Sequence, residues 1–131
     1  MEDMLPETKT TQEATASAVP EALENLLRDH KGVDVLLIDL RNAQAWTDFF
    51  IIATASSDAH MDGMERHIRE FCSDNGIEIL RRSRKPAGME DEWRIIDLGP
   101  AVIHLMSSRA RTFYNLERLY SSSYSKSSSS S

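Results

Sequence analysis

The residues best placed to do chemistry are Trp93, Asp97 and His104, spaced Trp-x-x-x-Asp-x-Gly-x-x-x-x-His within Glu92–His104. A carboxylate that orients an imidazole is the arrangement of hydrolytic and acid–base sites. Such a site also needs a nucleophile. The serines on offer, Ser56, Ser57, Ser107 and Ser108, stand just before helical patterns, where a hydroxyl caps backbone N–H groups. Asp97 and His104 therefore read as a structural pair rather than an acid–base pair.

Other chemistries fare no better. Phosphoryl transfer needs a glycine-rich phosphate loop or paired carboxylates on a metal, because spread negative charge must meet fixed donors or cations. No Gly-x-x-x-x-Gly-Lys or Gly-x-Gly-x-x-Gly run is present, and Asp34 and Asp39, five apart, fall on opposite faces of a strand. His60 and His67, with Asp62 and Glu65 near them, lack a clear third metal ligand. Cys72 is the chain's one cysteine, which excludes an internal disulfide or a thiolate cage, and its helical position suits a buried thiol. No catalytic residue, cofactor or metal is expected.

The element that must position the first three residues is a hairpin. Two apolar runs, Trp93–Leu98 and Ala101–Met106, flank Gly99-Pro100, a strand-reversal signal. Alternation puts Trp93, Ile95 and Asp97 on one face and Arg94, Ile96 and Leu98 on the other, while Val102, His104 and Met106 point together.

Upstream, Pro20–His30 carries Leu23, Leu26, Leu27 and His30 at helical spacing and ends at Gly32. Val33–Leu40 and Phe49–Ala55 are apolar runs expected as central strands. Ser56-Ser57-Asp58 then supplies capping side chains for a helix with Met61, Met64, Ile68, Phe71 and Cys72 on one face, running to about Ser73 and stopping near Asn75-Gly76. Ile77–Arg82 reads as a third strand entering the densest basic cluster, Arg81, Arg82, Arg84 and Lys85. A last helix over Arg109–Tyr120 turns Ala110, Phe113, Leu116 and Leu119 or Tyr120 inward. The order favours a mixed sheet of about five strands with flanking helices. Three segments are expected: a disordered acidic tail at 1–19, one domain at 20–120, and a disordered serine-rich tail at 121–131.

Of the net charge of −6 in 131 residues, the first 24 residues account for six acids against one lysine, which leaves about −1 for the rest. A nearly neutral domain is not built to wrap nucleic acid. No apolar window is long enough to span a membrane and no signal-peptide pattern opens the chain, so a cytoplasmic protein without membrane contact is expected.

Three stretches resemble one family. Thr47-Asp48-Phe49-Phe50-Ile51-Ile52-Ala53-Thr54, running into Ser57-Asp58-Ala59-His60, is similar to the Thr-Asp-Tyr-Phe-Val-Ile-Ala-Thr-Gly-Thr-Ser-Asp-Arg-His segment of the ribosomal silencing factors, the RsfS or Iojap family. Ala55 stands at the usual Gly and Ala59 at the usual Arg. The hairpin resembles the family's Trp-x-x-x-Asp-Tyr-Gly-Asp-x-x-x-His, with Leu98 and Pro100 replacing Tyr and Asp. Ala110–Tyr120 resembles the Ala-Arg-x-Phe-Tyr-x-Leu-Glu-Arg-Leu-Trp ending.

The resemblance implies a nucleotidyltransferase-like α/β fold without the catalytic motif, and a non-enzymatic homodimer. It implies that the large ribosomal subunit is bound through ribosomal protein L-fourteen, obstructing subunit joining when nutrients are scarce. A late large-subunit assembly factor is the alternative, and a nucleotide-binding enzyme on the inherited fold a second one. Protein surfaces are gripped by a few aromatic or Arg anchors inside a polar rim. That makes Trp93 the candidate anchor, with a core tryptophan the other reading. Arg94, Asp97 and His104 stand near it, and Arg81, Arg82, Arg84 and Lys85 are rim or ribosomal RNA contacts.

Overall fold

The computed structural model describes residues 18–43, 45, 47–84 and 92–115. Lys85, residues 116–120 of the expected last helix, and both predicted tails apart from residues 18 and 19 lie outside the described residues. The elements in order are α1 (residues 18–29), β1 (Val33–Asp39), β2 (Phe49–Thr54), α2 (Asp58–Asp74), β3 (Arg81–Arg84), β4 (Trp93–Asp97), β5 (Ala101–Met106) and α3 (Ser108–Tyr114). The strands form one mixed sheet in the order β1-β2-β5-β4-β3, with β2 and β5 parallel and the remaining pairs antiparallel. The expected mixed α/β sheet of about five strands is the fold observed.

Alternation along the central strands divides the core in two. Phe49, Ile51 and Ala53 of β2, with Ile96, Ile103 and Leu105, face Leu23 and Leu27 of α1 and Met61, Met64, Ile68 and Cys72 of α2. Phe50 and Ile52 point the other way, with Ile38, Trp93, Val102 and Met106, and Ala110 of α3 packs there. Each fully buried Leu, Ile or Met contributes about 1.5–3 kcal/mol.

Local chemistry sets the element ends. The Ser57 hydroxyl accepts from the His60 N–H and the Ser107 hydroxyl from the Ala110 N–H, so both serines are the caps their positions predict. Gly99, at φ +95°, takes the hairpin through a left-handed conformation that any side chain would strain. Gly32 lets the chain leave α1, since a Cβ there would sit 2.8 Å from the Leu27 carbonyl oxygen.

Four boundaries differ from the sequence reading. Helix α1 is already formed at residue 18, ahead of Pro20. β1 is an edge strand, not a central one: its first residues are exposed, and its pairing slips at a bulge between Val33 and Leu36, where Asp34 has φ 51°. β3 begins at Arg81, because β4 offers partners only from Trp93 to Asp97. Residues 77–80 precede that ladder, and the Leu80 N–H bonds the Asp97 carbonyl at its mouth. Helix α3 stops at Tyr114, capped by left-handed Asn115, and Phe113 is 74% exposed rather than packed inward. Among the described residues, no helix is long and apolar enough to cross a membrane.

Candidate functional site

The β4–β5 hairpin fixes the sequence-predicted site residues by register. Ile95 lies opposite His104 and Val102 opposite Asp97, so carboxylate and imidazole share a face diagonally rather than as a direct pair. Trp93 donates its indole N–H to His104 Nδ1 at 3.0 Å. An indole nitrogen can only donate, so Nδ1 carries a lone pair and the ring proton is assigned to Nε2. Phe50 packs edge-on against the imidazole, 4.5 Å between centroids at 69°. Trp93 and His104 are each 5% exposed. Within this chain Trp93 is therefore a core tryptophan rather than a projecting anchor, because its opposite strand and its polar handle are both supplied internally.

Arg94 points to the other face and meets α2. Its Nη1 donates to Asp62, in a close contact, and to Glu65 at 3.3 Å, and the residue is 5% exposed. Burial works against its charge, but the Asp62 and then the Glu65 carboxylates raise its pKa above the ordinary value. Arg94 is thus a clamp between hairpin and helix rather than an outward contact.

The turn is equally tied down. Asp97 accepts from the Gly99 N–H at 2.8 Å, and the Thr47 hydroxyl donates to the Gly99 carbonyl at 2.8 Å. The N–H groups of Asp48 and Phe49 reach the Pro100 carbonyl at 3.1 Å, which fixes the entry to β2. At the far end, Glu92 accepts from Ser107 at 2.8 Å and from the Arg109 guanidinium at 3.1 and 2.5 Å. Those donors, Arg109 first and Ser107 second, hold the Glu92 carboxyl at about 2.

Arg81, Arg82 and Arg84 form the edge strand β3, paired through Asp97, Ile96 and Arg94 respectively, so the basic cluster borders the hairpin. The remaining candidate ligands do not converge. Asp62 and Glu65 meet Arg94, His60 and His67 turn toward His30, and Asp39 is taken by Arg41 at 2.9 and 2.7 Å. The Arg41 guanidinium holds the Asp39 carboxyl below its usual range. Among the described residues, no group of three or more His, Cys, Asp or Glu side chains could hold a metal ion.

Sequence reasoning missed two features. Arg111, 8% exposed, reaches across the sheet to the Thr54 hydroxyl at 2.9 Å and the Val33 carbonyl at 3.3 Å. It stands in the wall of a cavity of about 320 Å³ with Asp34, Ser108, Thr112 and Asn115. The sequence carries no local signal for this contact, because Thr54 is 57 residues away. The Arg94 clamp was visible only in part, as Asp62 and Glu65 spaced for one helix face. The hairpin is hydrogen-bonded largely within the chain, although Arg94 Nε is buried without a partner, and its capping serines are already hydrogen-bonded.

Comparison with known proteins supplies the family. The family described as ribosomal silencing factor during starvation, RsfS, matches residues 11–131. The ribosomal silencing factor RsfS of Treponema pallidum is 36% identical over 105 residues, covering 80% of this chain and 88% of that protein. A mouse protein called mitochondrial assembly of ribosomal large subunit protein 1 is 29% identical over 106 residues, 76% of this chain and 44% of that one. A crystal structure from Chromobacterium violaceum superposes with a TM-score of 0.71 at 22% identity, covering 80% of this chain and 85% of that one, and so shares the fold. A second, from Bacillus halodurans, gives 0.65 at 26% identity, covering 79% and 93%. The chain belongs to the ribosomal silencing factor (RsfS) family.

Proposed function

We propose that this protein is a non-enzymatic, cytoplasmic factor that binds the large ribosomal subunit through ribosomal protein L-fourteen and sterically blocks joining of the small subunit, repressing translation under nutrient limitation. The observation that carries this reading is the family match along residues 11–131. Occlusion requires only an affinity and a volume, since two bodies cannot occupy one surface, and no bond need be made or broken.

The hairpin supports such a role because its internal bonds leave little to reorganise on binding, which keeps the ordering cost low. In this reading Arg81, Arg82 and Arg84, followed by Lys85, make the outer contacts to protein or ribosomal RNA. Trp93, His104, Asp97 and Arg94 hold the contacting surface from beneath. A second reading, a late-stage assembly factor for the large subunit, draws support from the name of the mouse relative.

Co-sedimentation with purified large subunits, with and without small subunits, separates the two. Binding to mature large subunits together with fewer joined ribosomes is expected for silencing. Binding restricted to precursor particles, with joining unaffected, would replace it by assembly. No binding to either would overturn both. The free protein in the same gradients reports its mass, and the homodimer expected of the family predicts twice that of the chain. Calorimetry with nucleoside triphosphates and magnesium tests for nucleotide binding, and saturable heat would contradict a purely occluding role.

A further inference from the structure

Three of the chain's four histidines meet where α1 ends on α2, and the proposed function uses none of them. His60 employs both ring nitrogens. The Ser56 backbone N–H donates to Nδ1 at 2.9 Å, so the proton belongs on Nε2, which donates to the His30 carbonyl at 2.8 Å. That carbonyl is one of those a helix end leaves without an intrahelical partner. The His30 ring in turn stacks on His67, with centroids 3.6 Å apart and 16° between planes.

We propose that these imidazoles form an acid-sensitive latch, which in the neutral state holds the C-terminal turn of α1 on α2 and on protonation releases it. A proton on His60 Nδ1 removes the acceptor facing the Ser56 N–H, while the Ser56 hydroxyl, 3.1 Å from Nδ1, can take the new donor, so the larger effect falls on the stacked pair. A proton on each stacked ring places two cations about 3.6 Å apart. Imidazole is the side chain whose charge ordinarily changes between about pH 5 and 8, so that is the range to test.

The surrounding charges do not cancel this. Glu70, 3.6 Å from His67 Nδ1 on α2, accommodates a first proton on the stacked pair but not a second. Asp29 and Lys31 flank His30, Asp58 opens α2, Arg66 precedes His67 and Asp34 begins the next strand. Among the described residues none of these five is within ion-pair range of the three rings, and Arg28 is held by Glu24 and the Val35 carbonyl. Release frees the last turn of α1, while Leu23 and Leu27 remain anchored in the core.

The test is amide hydrogen exchange on the full chain, read by NMR as protection factors corrected for intrinsic rates, from about pH 7.5 to about pH 5.5. Protection in residues 26–32 is expected to fall by up to about tenfold per pH unit for each proton taken up, with β2 and β5 unchanged. His60→Asn keeps an acceptor for Ser56 without a titrating ring, and His67→Phe keeps a ring against His30 without a charge. The double variant is expected to give a flat profile. A flat wild-type profile overturns the proposal, as does equal loss in the sheet or a double variant as steep as wild type. Should the double variant not fold, the single His67→Phe and His60→Asn chains are each expected to give a shallower profile than wild type, and slopes as steep as wild type in both overturn the proposal.

Discussion

Replacing Arg94 by alanine removes the clamp between the hairpin and α2. The Arg94 side chain is 6% exposed, its partner Glu65 15% and Asp62 63%. At an effective dielectric near 20, charges at the Arg94–Glu65 separation attract by about 5 kcal/mol, most of which offsets the desolvation of the guanidinium in the intact protein. The variant loses the attraction and keeps a largely desolvated Glu65 carboxylate. Asp62 rehydrates, and its share is no more than about 0.5–1 kcal/mol. The expected loss is about 2–4 kcal/mol, or roughly 10–15 °C in melting temperature. Urea unfolding followed by circular dichroism measures it. The pair Arg94→Met with Glu65→Met removes both charges at once and is expected to return to within about 1 kcal/mol of wild type. It should also still co-sediment with large subunits, because Arg94 faces inward. An Arg94→Ala loss below about 0.5 kcal/mol, or a double variant whose losses merely add, would refute the clamp.

Three further outcomes follow from the same geometry. Trp93→Phe removes the donor to His104 and part of a buried indole, so it should cost about 2 kcal/mol in urea unfolding; unchanged stability with lost ribosome binding would instead make Trp93 an anchor. Glu92 is held at about 2 against an ordinary 4.5 by Arg109 and Ser107, so its contribution is complete above the ordinary value and lost as pH falls from 4.5 toward 2. Glu92→Gln should flatten that part of the acid unfolding curve, and an unaltered curve would show that the contact does not stabilise the fold. Charge reversal of Arg82 and Arg84 should weaken binding to large subunits and, where phosphates are contacted, lessen the salt slope by about 0.7–0.9 per contact; weaker binding with the same slope would assign these residues to a protein surface.

What the sequence determined by itself was whatever depends on near neighbours. Ser57 and Ser107 cap their helices because a hydroxyl two or three residues from free N–H groups needs no distant help. The Gly99-Pro100 reversal and the two faces of the hairpin follow from turn chemistry and a period of two. Together with the Met61, Met64, Ile68 and Cys72 stripe they made the fold class legible. Residue spelling at Thr47–Thr54, the hairpin and Ala110–Tyr120 was enough to name the family.

Only the tertiary structure decided the rest. β1 has the composition of a central strand, yet its place at the edge depends on which strand pairs with β2, and that choice went to β5 in parallel. β3 could not be bounded from its own residues, since a ladder exists only where β4 supplies partners. Whether Trp93 projected or packed turned on His104, eleven residues away on the facing strand. Arg94 looked like a surface cation until α2 placed Asp62 and Glu65 above it, and Arg111 gained its role from Thr54 on another strand. Propensity and periodicity act over a few residues, whereas burial and charge pairing are settled by whatever the fold brings alongside.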